Sequence, residues 1–227
     1  MRSSLSRLAS LLRFHNESKW PQALLKSVQE TCIVEDDFVT KAEEAAFMKE
    51  VEPHMKRLRY EKSHWDDAIH LYREREQRKW NQENEEVLDR LRRKSFPEDA
   101  MQLTYVHILD LHKDGKIKPH IDSVRYCGDI ITGISLLSDC VMRLRHKDKP
   151  DDWIADLHLK RLSLYKLSGV GRYDFRHEVL AEEESFFNDE KVPRDRRISI
   201  ICRDLPKATA VNVEERDSLT FKPVERA

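Results

Sequence analysis

The chain has 227 residues and carries 37% charged residues with a formal net charge of −1. This length suits one domain with a substantial core, and no apolar run approaches the roughly 20 residues of a membrane-spanning helix. The nearly balanced charge excludes a generally basic protein that would bind phosphate backbones through clustered positive side chains.

The first 15 residues differ in composition from the rest of the chain. They hold three arginines, four serines and no acid, with leucines at roughly helical spacing. This composition is typical of a mitochondrial transit peptide, so residues 1–20 are predicted to direct the protein to the mitochondrial matrix and to be dispensable for folding. An ordinary basic surface helix is the alternative. Without this segment the chain is more acidic, which disfavours non-specific binding to nucleic acid, although a local basic groove would still permit it.

Residues 21–100 are predicted to form a helical extension. Residues 16–35, which overlap the start of this extension, are interpreted as a linker that leads into a short apolar strand at 32–34. Thr40 is predicted to begin a helix, because Glu43 follows three residues later in the capping-box pattern, and Pro53 should kink or end that helix.

Residues 61–94 are rich in charge, and a few apolar residues fit one helical face. We therefore predict one amphipathic helix that packs on a sheet and ends near residues 95–98.

From residue 101 the apolar runs become short and β-branched, which is typical of strands. A hairpin turn is expected at Asp114–Gly115. About eight short strands without intervening helices favour a double-sheet jelly roll. The predicted fold class is therefore α+β: a double-stranded β-helix (jelly roll) core at residues 101–205, N-terminal helices packed on one sheet, and an irregular tail at 206–227. The predicted strands are 106–109, the strand carrying His120, 130–136, 141–144, 154–159, 163–167, 173–179 and 197–203.

His120 and Asp122 are the first candidates for a metal site. Residues two apart in a strand point to the same face, so this imidazole and this carboxylate can hold adjacent positions on one metal ion. One further histidine would complete the two-histidine, one-carboxylate triad of non-haem Fe(II) oxygenases. His177 is a candidate for that third ligand, although a lone histidine is more often structural.

Strand 197–203 places Arg197, Ser199, Ile201 and Arg203 on one face by simple alternation. Burying a guanidinium is costly unless an anion pairs with it, and arginine binds carboxylates in a bidentate manner. The two arginines therefore indicate either a buried dianionic ligand or acidic partners within the protein.

Together these elements resemble the AlkB family of Fe(II)- and 2-oxoglutarate-dependent dioxygenases, whose pattern is His-x-Asp, a distant His, and Arg-x-x-x-x-x-Arg. The resemblance covers about residues 100–205. Further similarity in residues 60–74, 117–123, 136–138 and 172–175 points to a mitochondrial branch of the family.

The resemblance implies an oxidoreductase that oxidises a C–H bond with Fe(II), 2-oxoglutarate and O2. His120, Asp122 and His177 would hold the iron, and Arg197 would pair with the distal carboxylate of 2-oxoglutarate. Arg203 would lie nearer the chelated end or the substrate. The expected substrate is a protein or small molecule of the mitochondrial matrix.

Two departures from the family pattern bear on these roles. His112 stands where the family commonly has a tyrosine that touches 2-oxoglutarate, so Tyr165 is the candidate substitute. Residues 61–94 show no hairpin signal for the lid with which nucleic-acid enzymes of the family grip a flipped base. An RNA or DNA demethylase is therefore the disfavoured alternative, and a non-catalytic jelly-roll interaction protein is the second alternative.

Overall fold

The computed structural model describes residues 10–206 and the backbone of residues 220–221. The helices are α1 (Gln22–Thr31), α2 (Lys41–Met55), α3 (Gln82–Ser95) and α4 (Gly169–Tyr173). The strands are β1 (Leu12–Phe14), β2 (Cys32–Glu35), β3 (Ile69–Gln77), β4 (Gln102–Leu103), β5 (Val106–His120), β6 (Ile130–Leu136), β7 (Cys140–His146), β8 (Ile154–Leu159), β9 (Leu164–Ser168), β10 (Phe175–Val179), β11 (Phe186–Phe187), β12 (Glu190–Lys191), β13 (Arg197–Arg203) and β14 (Thr220–Phe221).

Ten strands form one continuous antiparallel sheet that closes on itself as a jelly roll. Their order is β1-β8-β7-β10-β5-β13-β6-β9-β2, and β3 pairs separately with β5. One apolar cluster fills the interior between the two halves of the sheet. This arrangement confirms the jelly-roll core, whose strands from β6 onward lie close to the predicted positions.

Helices α2 and α3 pack on the outer face of β5, β6 and β13. Val51 and Leu88 join Ile134, Ile198 and Ile200 in a second apolar cluster there. The predicted capping box begins α2: the Thr40 hydroxyl accepts from Glu43 N, and the Glu43 carboxylate accepts from Thr40 N. Pro53 lies in the last turn, where it precedes the end of α2 at Met55. The helices therefore cover one sheet as expected.

The predicted hairpin at Asp114–Gly115 is wrong, because β5 runs without reversal from Val106 to His120. Residues 112–115 instead form a bulge opposite β3. His70 of β3 pairs with Lys116 of β5, but Tyr72, only two residues later, pairs with Leu111. A side chain on Gly115 would lie 2.9 Å or less from two carbonyl oxygens of β3. Glycine is thus required by a close approach of two backbones rather than by a turn.

The bulge divides β5 between the two halves of the sheet. Its first part pairs with β13, where Leu111 lies opposite Arg197. Its last part pairs with β10, where His120 lies opposite His177. One strand therefore connects the arginine strand to both predicted histidine ligands.

The described N-terminal segment is folded from Leu12 onward, against the prediction that residues 1–20 are dispensable for folding. Strand β1 pairs with β8, and Trp20 is buried against Phe14 and Phe175. Residues 22–31 form α1 where a linker was expected, because Leu25 and Val28 face the core. Residues 1–9 lie outside the described residues, so the transit-peptide prediction stays untested there.

The single helix predicted over residues 61–94 is wrong in its first half. Strand β3 occupies residues 69–77, and only α3 is helical. Residues 61–72 fold back as a narrow hairpin in which Glu61 pairs with Tyr72. The extension at residues 21–100 therefore contributes two strands to the main sheet as well as three helices.

Three further observations concern the cysteines, the length of the helices and the C-terminal tail. All four cysteines are buried free thiols. No helix within the described residues is long and apolar enough to cross a membrane. Most of the tail predicted as irregular lies outside the described residues, although β14 pairs with β4.

Candidate active site

The three predicted metal ligands meet at one point at the end of β5. The direct pairing of His120 with His177 brings the centroids of their rings to 4.2 Å. Asp122 follows two residues after His120, and its Oδ1 lies 3.2 Å from His120 Nε2 and 3.5 Å from His177 Nε2. One donor atom from each residue lies within 4.8 Å of the other two. Two imidazoles and one carboxylate form the donor set of non-haem Fe(II) sites.

The two histidines differ in their protonation. His120 Nδ1 lies 2.9 Å from the carbonyl oxygen of Lys118, which can only accept, so Nδ1 carries a hydrogen and Nε2 faces Asp122. Burial would lower the pKa of His120, but its contact with Asp122 outweighs burial and raises it, so a metal ion bound at Nε2 would displace a proton. Burial, together with the neighbouring charge of His120, lowers the pKa of His177 to about 3. His177 is therefore neutral at physiological pH, as a ligand must be.

The two carboxylate oxygens of Asp122 face different partners. Its Oδ1 faces the histidines, while Oδ2 lies 3.4 Å from Arg203 Nη2. Burial alone would raise the pKa of Asp122, but its contact with His120 and the charge of Arg203 outweigh burial and hold this pKa well below its usual range. The carboxylate is therefore ionised, and its second oxygen is engaged away from the histidines.

Arg203 is held in place from its other side by His107. Arg203 Nη1 donates to His107 Nδ1 at 3.0 Å, which leaves the hydrogen of His107 on Nε2. Nε2 in turn donates to Glu74 Oε2 at 2.9 Å. A chain of contacts thus runs from the surface residue Glu74 of β3 to the candidate ligand Asp122.

Arg197 differs from Arg203 because it has no acidic partner within residues 10–206. Its side chain is buried, its Nε donates to Ser135 Oγ at 2.9 Å, and its Nη2 has no hydrogen-bond partner. The guanidinium lies 5.9 Å from the ring centroid of Tyr165. A buried guanidinium with free donors is a site that an external carboxylate can satisfy.

Tyr165 lies beside Arg197 because of the pairing between β6 and β9. Its ring covers Gly133, where an added Cβ would lie 2.6 Å from the hydroxyl oxygen. The hydroxyl lies 3.4 Å from Ser199 Oγ. Burial raises the pKa of Tyr165, so the hydroxyl stays protonated and can donate.

The three candidate ligands line one cavity of about 90 Å³ between the two halves of the sheet, together with Arg197, Arg203 and Tyr165. Its remaining walls are mainly aliphatic, from Ile131, Met142, Leu167 and Val179. A larger groove of about 650 Å³ lies between β1 and β2 and contains none of the candidate ligands or arginines. The chemistry of the donor groups, rather than cavity size, marks the smaller cavity as the candidate active site.

Two residues contribute to the cavity that the sequence analysis missed. His107 lines it, and Ser135 orients Arg197. The alternation of His107 with Leu109 and Leu111 along β5 could have indicated that His107 faces inward. His112 lies outside the cavity, in the bulge of β5, where its ring packs edge-on against Tyr60.

Comparison with known proteins agrees with this geometry. The family model "2OG-Fe(II) oxygenase superfamily" matches residues 13–203. The bovine protein named "Alpha-ketoglutarate-dependent dioxygenase alkB homolog 7, mitochondrial" is 44% identical over 201 residues, which cover 87% of this chain and 90% of the relative. Its mouse counterpart, of the same name, is 47% identical over 185 residues, covering 82% of this chain and 83% of the relative.

Solved structures share the fold at low sequence identity. A structure of OsALKBH1 superposes with a TM-score of 0.56 at 11% identity, covering 76% of this chain and 97% of that one. A prolyl-4-hydroxylase of Pseudomonas putida superposes with a TM-score of 0.57 at 11% identity, covering 82% and 98%.

Proposed function

Since this chain belongs to the 2OG-Fe(II) oxygenase superfamily, among the alpha-ketoglutarate-dependent dioxygenases of the alkB homolog 7 type, we propose that it oxidises a C–H bond of a protein or small molecule in the mitochondrial matrix. The observation that carries this proposal is that the His120–Asp122–His177 triad faces the same cavity as Arg197, whose Nη2 has no hydrogen-bond partner among the described residues. The mitochondrial names of the two mammalian relatives support the proposed location.

The residues of the cavity divide into three roles. His120, Asp122 and His177 would hold Fe(II), which together with 2-oxoglutarate and O2 supplies the oxidation of an unreactive C–H bond. Arg203 engages Asp122 Oδ2 and so leaves Oδ1 for the metal. A metal held by three protein atoms keeps open positions for its co-substrates.

Arg197 would bind the distal carboxylate of 2-oxoglutarate through its free donors, with Tyr165 adding a hydrogen bond. The Ser135 hydroxyl fixes the orientation of the guanidinium before the ligand arrives. The aliphatic walls exclude water, which strengthens the pairing between Arg197 and a carboxylate.

The hairpin at residues 61–72 bears on the choice of substrate class. Its presence removes one argument against nucleic acid, because the lack of a hairpin was the reason for disfavouring an RNA or DNA demethylase. Asp66 and Asp67 lie in this hairpin, however, and carboxylates at the opening would repel a phosphate backbone. We therefore retain a protein or small molecule as the proposed substrate.

An untargeted assay tests this function. The iron-loaded protein is incubated with 2-oxoglutarate and a mitochondrial matrix extract, and mass spectrometry follows succinate and any gain of an oxygen atom or loss of a methylene unit in peptides, metabolites and RNA. We expect succinate together with a modified peptide or metabolite. Modification of RNA alone would contradict the proposed substrate class, and no succinate would contradict the activity.

A further inference from the structure

Two surface segments directly adjoin residues that line the active-site cavity. The first is the turn of the 61–72 hairpin, which leads into Ile69 of the cavity wall. The second is the loop of residues 123–127, which follows directly after Asp122. We call these two segments together the rim.

The turn in the rim is fixed by contacts from several directions. His64 N donates to Ile69 O at 2.9 Å, and Asp66 Oδ1 accepts from both His64 Nδ1 at 2.7 Å and Ala68 N at 3.0 Å. These bonds close the turn on itself. The segment is thus built as a rigid structure rather than left as a loose loop.

The same turn is also bonded to the strand that carries His120. Lys118 N donates to Ala68 O at 2.7 Å, and the Lys118 ammonium lies 2.5 Å from Asp67 Oδ2. Lys118 is two residues from His120, whose Nδ1 donates to the Lys118 carbonyl. The position of the turn is therefore tied to the position of a candidate metal ligand.

The rim exposes large apolar side chains although its backbone is held by hydrogen bonds in both segments. Trp65 is 88% exposed, Tyr126 is 65% exposed and Val124 is 59% exposed. Among the described residues, the aromatic contact of Trp65 is with the neighbouring ring of His64 at 5.5 Å. Single exposed apolar residues are common, but three beside one opening indicate a contact surface. Tryptophan and tyrosine are also enriched among the residues that dominate binding energy at interfaces.

The size of the cavity indicates what the rim would contact. About 90 Å³ is well below the 300–1,000 Å³ of pockets that enclose a whole drug-sized ligand. A cavity that must also hold the co-substrate has room for only a small group of the substrate. Most of the substrate would therefore lie outside, against the rim.

The charges of the rim favour a polypeptide over a polyphosphate chain. Asp67 of the first segment pairs with Lys118, and the second segment carries Arg125, so the rim and its surroundings hold both signs of charge. The Arg125 guanidinium lies 5.6 Å from the ring centroid of Tyr126. Mixed charge with exposed aromatic rings resembles a protein-binding surface, whereas nucleic-acid surfaces carry an excess of positive charge.

We propose that Trp65 and Tyr126 form a docking surface for a polypeptide substrate, one side chain of which reaches into the cavity. This proposal rests on the proposed function and names the substrate class for the same site. The aromatic rings would bind the segment around the target residue, and the rigid turn would hold it at a fixed distance from the metal ligands.

The test measures how strongly extract fractions stimulate conversion of 2-oxoglutarate to succinate. The protein fraction of a matrix extract is added before or after treatment with protease or with ribonuclease, and a small-molecule filtrate is tested separately. The wild type is compared with the Trp65→Ala/Tyr126→Ala double variant, with Trp65→Phe, and with Phe186→Ala as a control. Phe186 is also an exposed aromatic residue, but it does not belong to the rim. Stimulation is expressed relative to the rate of each variant without extract, and thermal melts verify folding.

We expect stimulation by the protein fraction that protease abolishes and ribonuclease does not. The double variant should lose about tenfold in stimulation, Trp65→Phe should retain a substantial part, and Phe186→Ala should behave as the wild type. Equal stimulation of the double variant and the wild type would overturn the proposal. The proposal would also be overturned if stimulation survives protease, if ribonuclease removes it, or if no fraction stimulates the reaction. A wild type that forms no succinate even without extract would overturn the proposed function as well, so the two failures can be told apart.

Discussion

At the scale of single residues, Arg196 and Arg197 are adjacent arginines with different partners. Arg196 pairs with Asp110 and Glu52, each at 2.7 Å. Arg197 points into the cavity with a free Nη2. One arginine thus serves the fold, and the other is available to a ligand.

The difference predicts opposite results for two matched substitutions. Arg197→Met should weaken 2-oxoglutarate binding by about 2–5 kcal/mol, the cost of truncating one member of a buried charge pair. The free energy of unfolding should change little, because no carboxylate is left unpaired. Calorimetric titration with 2-oxoglutarate, beside a urea melt of each variant, measures both quantities.

Arg196→Met is the control for this experiment. Removing it leaves Asp110 with Arg73 and Tyr60 but leaves Glu52 with Lys56 at 3.6 Å in place of two arginine hydrogen bonds. The free energy of unfolding should therefore fall by about 2 kcal/mol, less than for a fully buried pair. Unchanged 2-oxoglutarate affinity in Arg197→Met, with a large loss of stability, would reject the role proposed for Arg197.

Asp156 allows a residue-scale prediction of pH dependence. Its buried carboxylate contacts His15 Nε2 at 2.7 Å and both Nε and Nη2 of Arg143. Burial would raise the pKa of Asp156, but these contacts outweigh burial and lower it. A depressed folded-state pKa means that this carboxylate stabilises the fold above the unfolded-state value of about 3.9, and that this contribution is lost as pH falls through the folded-state pKa.

We therefore expect Asp156→Asn to lower the free energy of unfolding by about 1.5–3 kcal/mol at neutral pH, the scale of hydrogen bonds to charged groups. The difference from the wild type should shrink below about pH 4. Urea melts of both proteins across a pH series measure this difference in the free energy of unfolding. Asp189→Asn, which removes an exposed carboxylate that pairs with Arg13, should have little effect at any pH. A difference that grows as the pH falls would contradict this account.

At the scale of elements, β13 was predictable from its residues alone. Its alternation places Arg197 and Arg203 inward and Ile198 and Ile200 against the helices, as the structure shows. Buried strands with one apolar face carry a clear period of two. The core strands could therefore be located from local pattern, and the candidate ligands followed from their positions on those strands.

Strand β3 could not be recognised in the same way. It carries charged residues on both faces, and its buried Arg73 is paired with Asp110, a partner 37 residues away. No local pattern reports such a contact. The prediction of a hairpin at Asp114–Gly115 failed for a related reason. This pair has the composition of a turn, but Gly115 is required because the backbone of β3 approaches it closely.

The folded N-terminal strand leads to a further element-scale prediction. A chain that begins at Asn16 lacks β1, the Phe14–Trp20 contact and the His15–Asp156 bond. Its free energy of unfolding should be lower by about 2–4 kcal/mol, the sum of an aromatic contact and a charged hydrogen bond.

A chain that begins at Ser10 is the matched control and should unfold like the full sequence, since it keeps β1. Equal stability of the two shortened chains would show that β1 contributes nothing. In cells, the chain beginning at Ser10 should fail to enter mitochondria if residues 1–9 belong to the predicted transit peptide, and unchanged import would reject that prediction.

At the scale of the whole molecule, two sheet halves connected by β5 bring the parts of the site together. The last part of β5 supplies His120 and pairs with the strand of His177, while its first part pairs with the strand of Arg197. Residues far apart in sequence are thereby held around one small cavity. The helices on the outer face keep β6 and β13 in place without entering the site.

The most direct test of this account is a Mn(II) titration followed by electron paramagnetic resonance, with Mn(II) standing in for Fe(II). The wild type should bind one metal ion per chain. Asp122→Ala should bind none while its thermal melt remains cooperative, and Asp66→Asn, which changes a nearby acid outside the triad, should bind as the wild type. Full metal occupancy in Asp122→Ala would contradict the assignment of the triad.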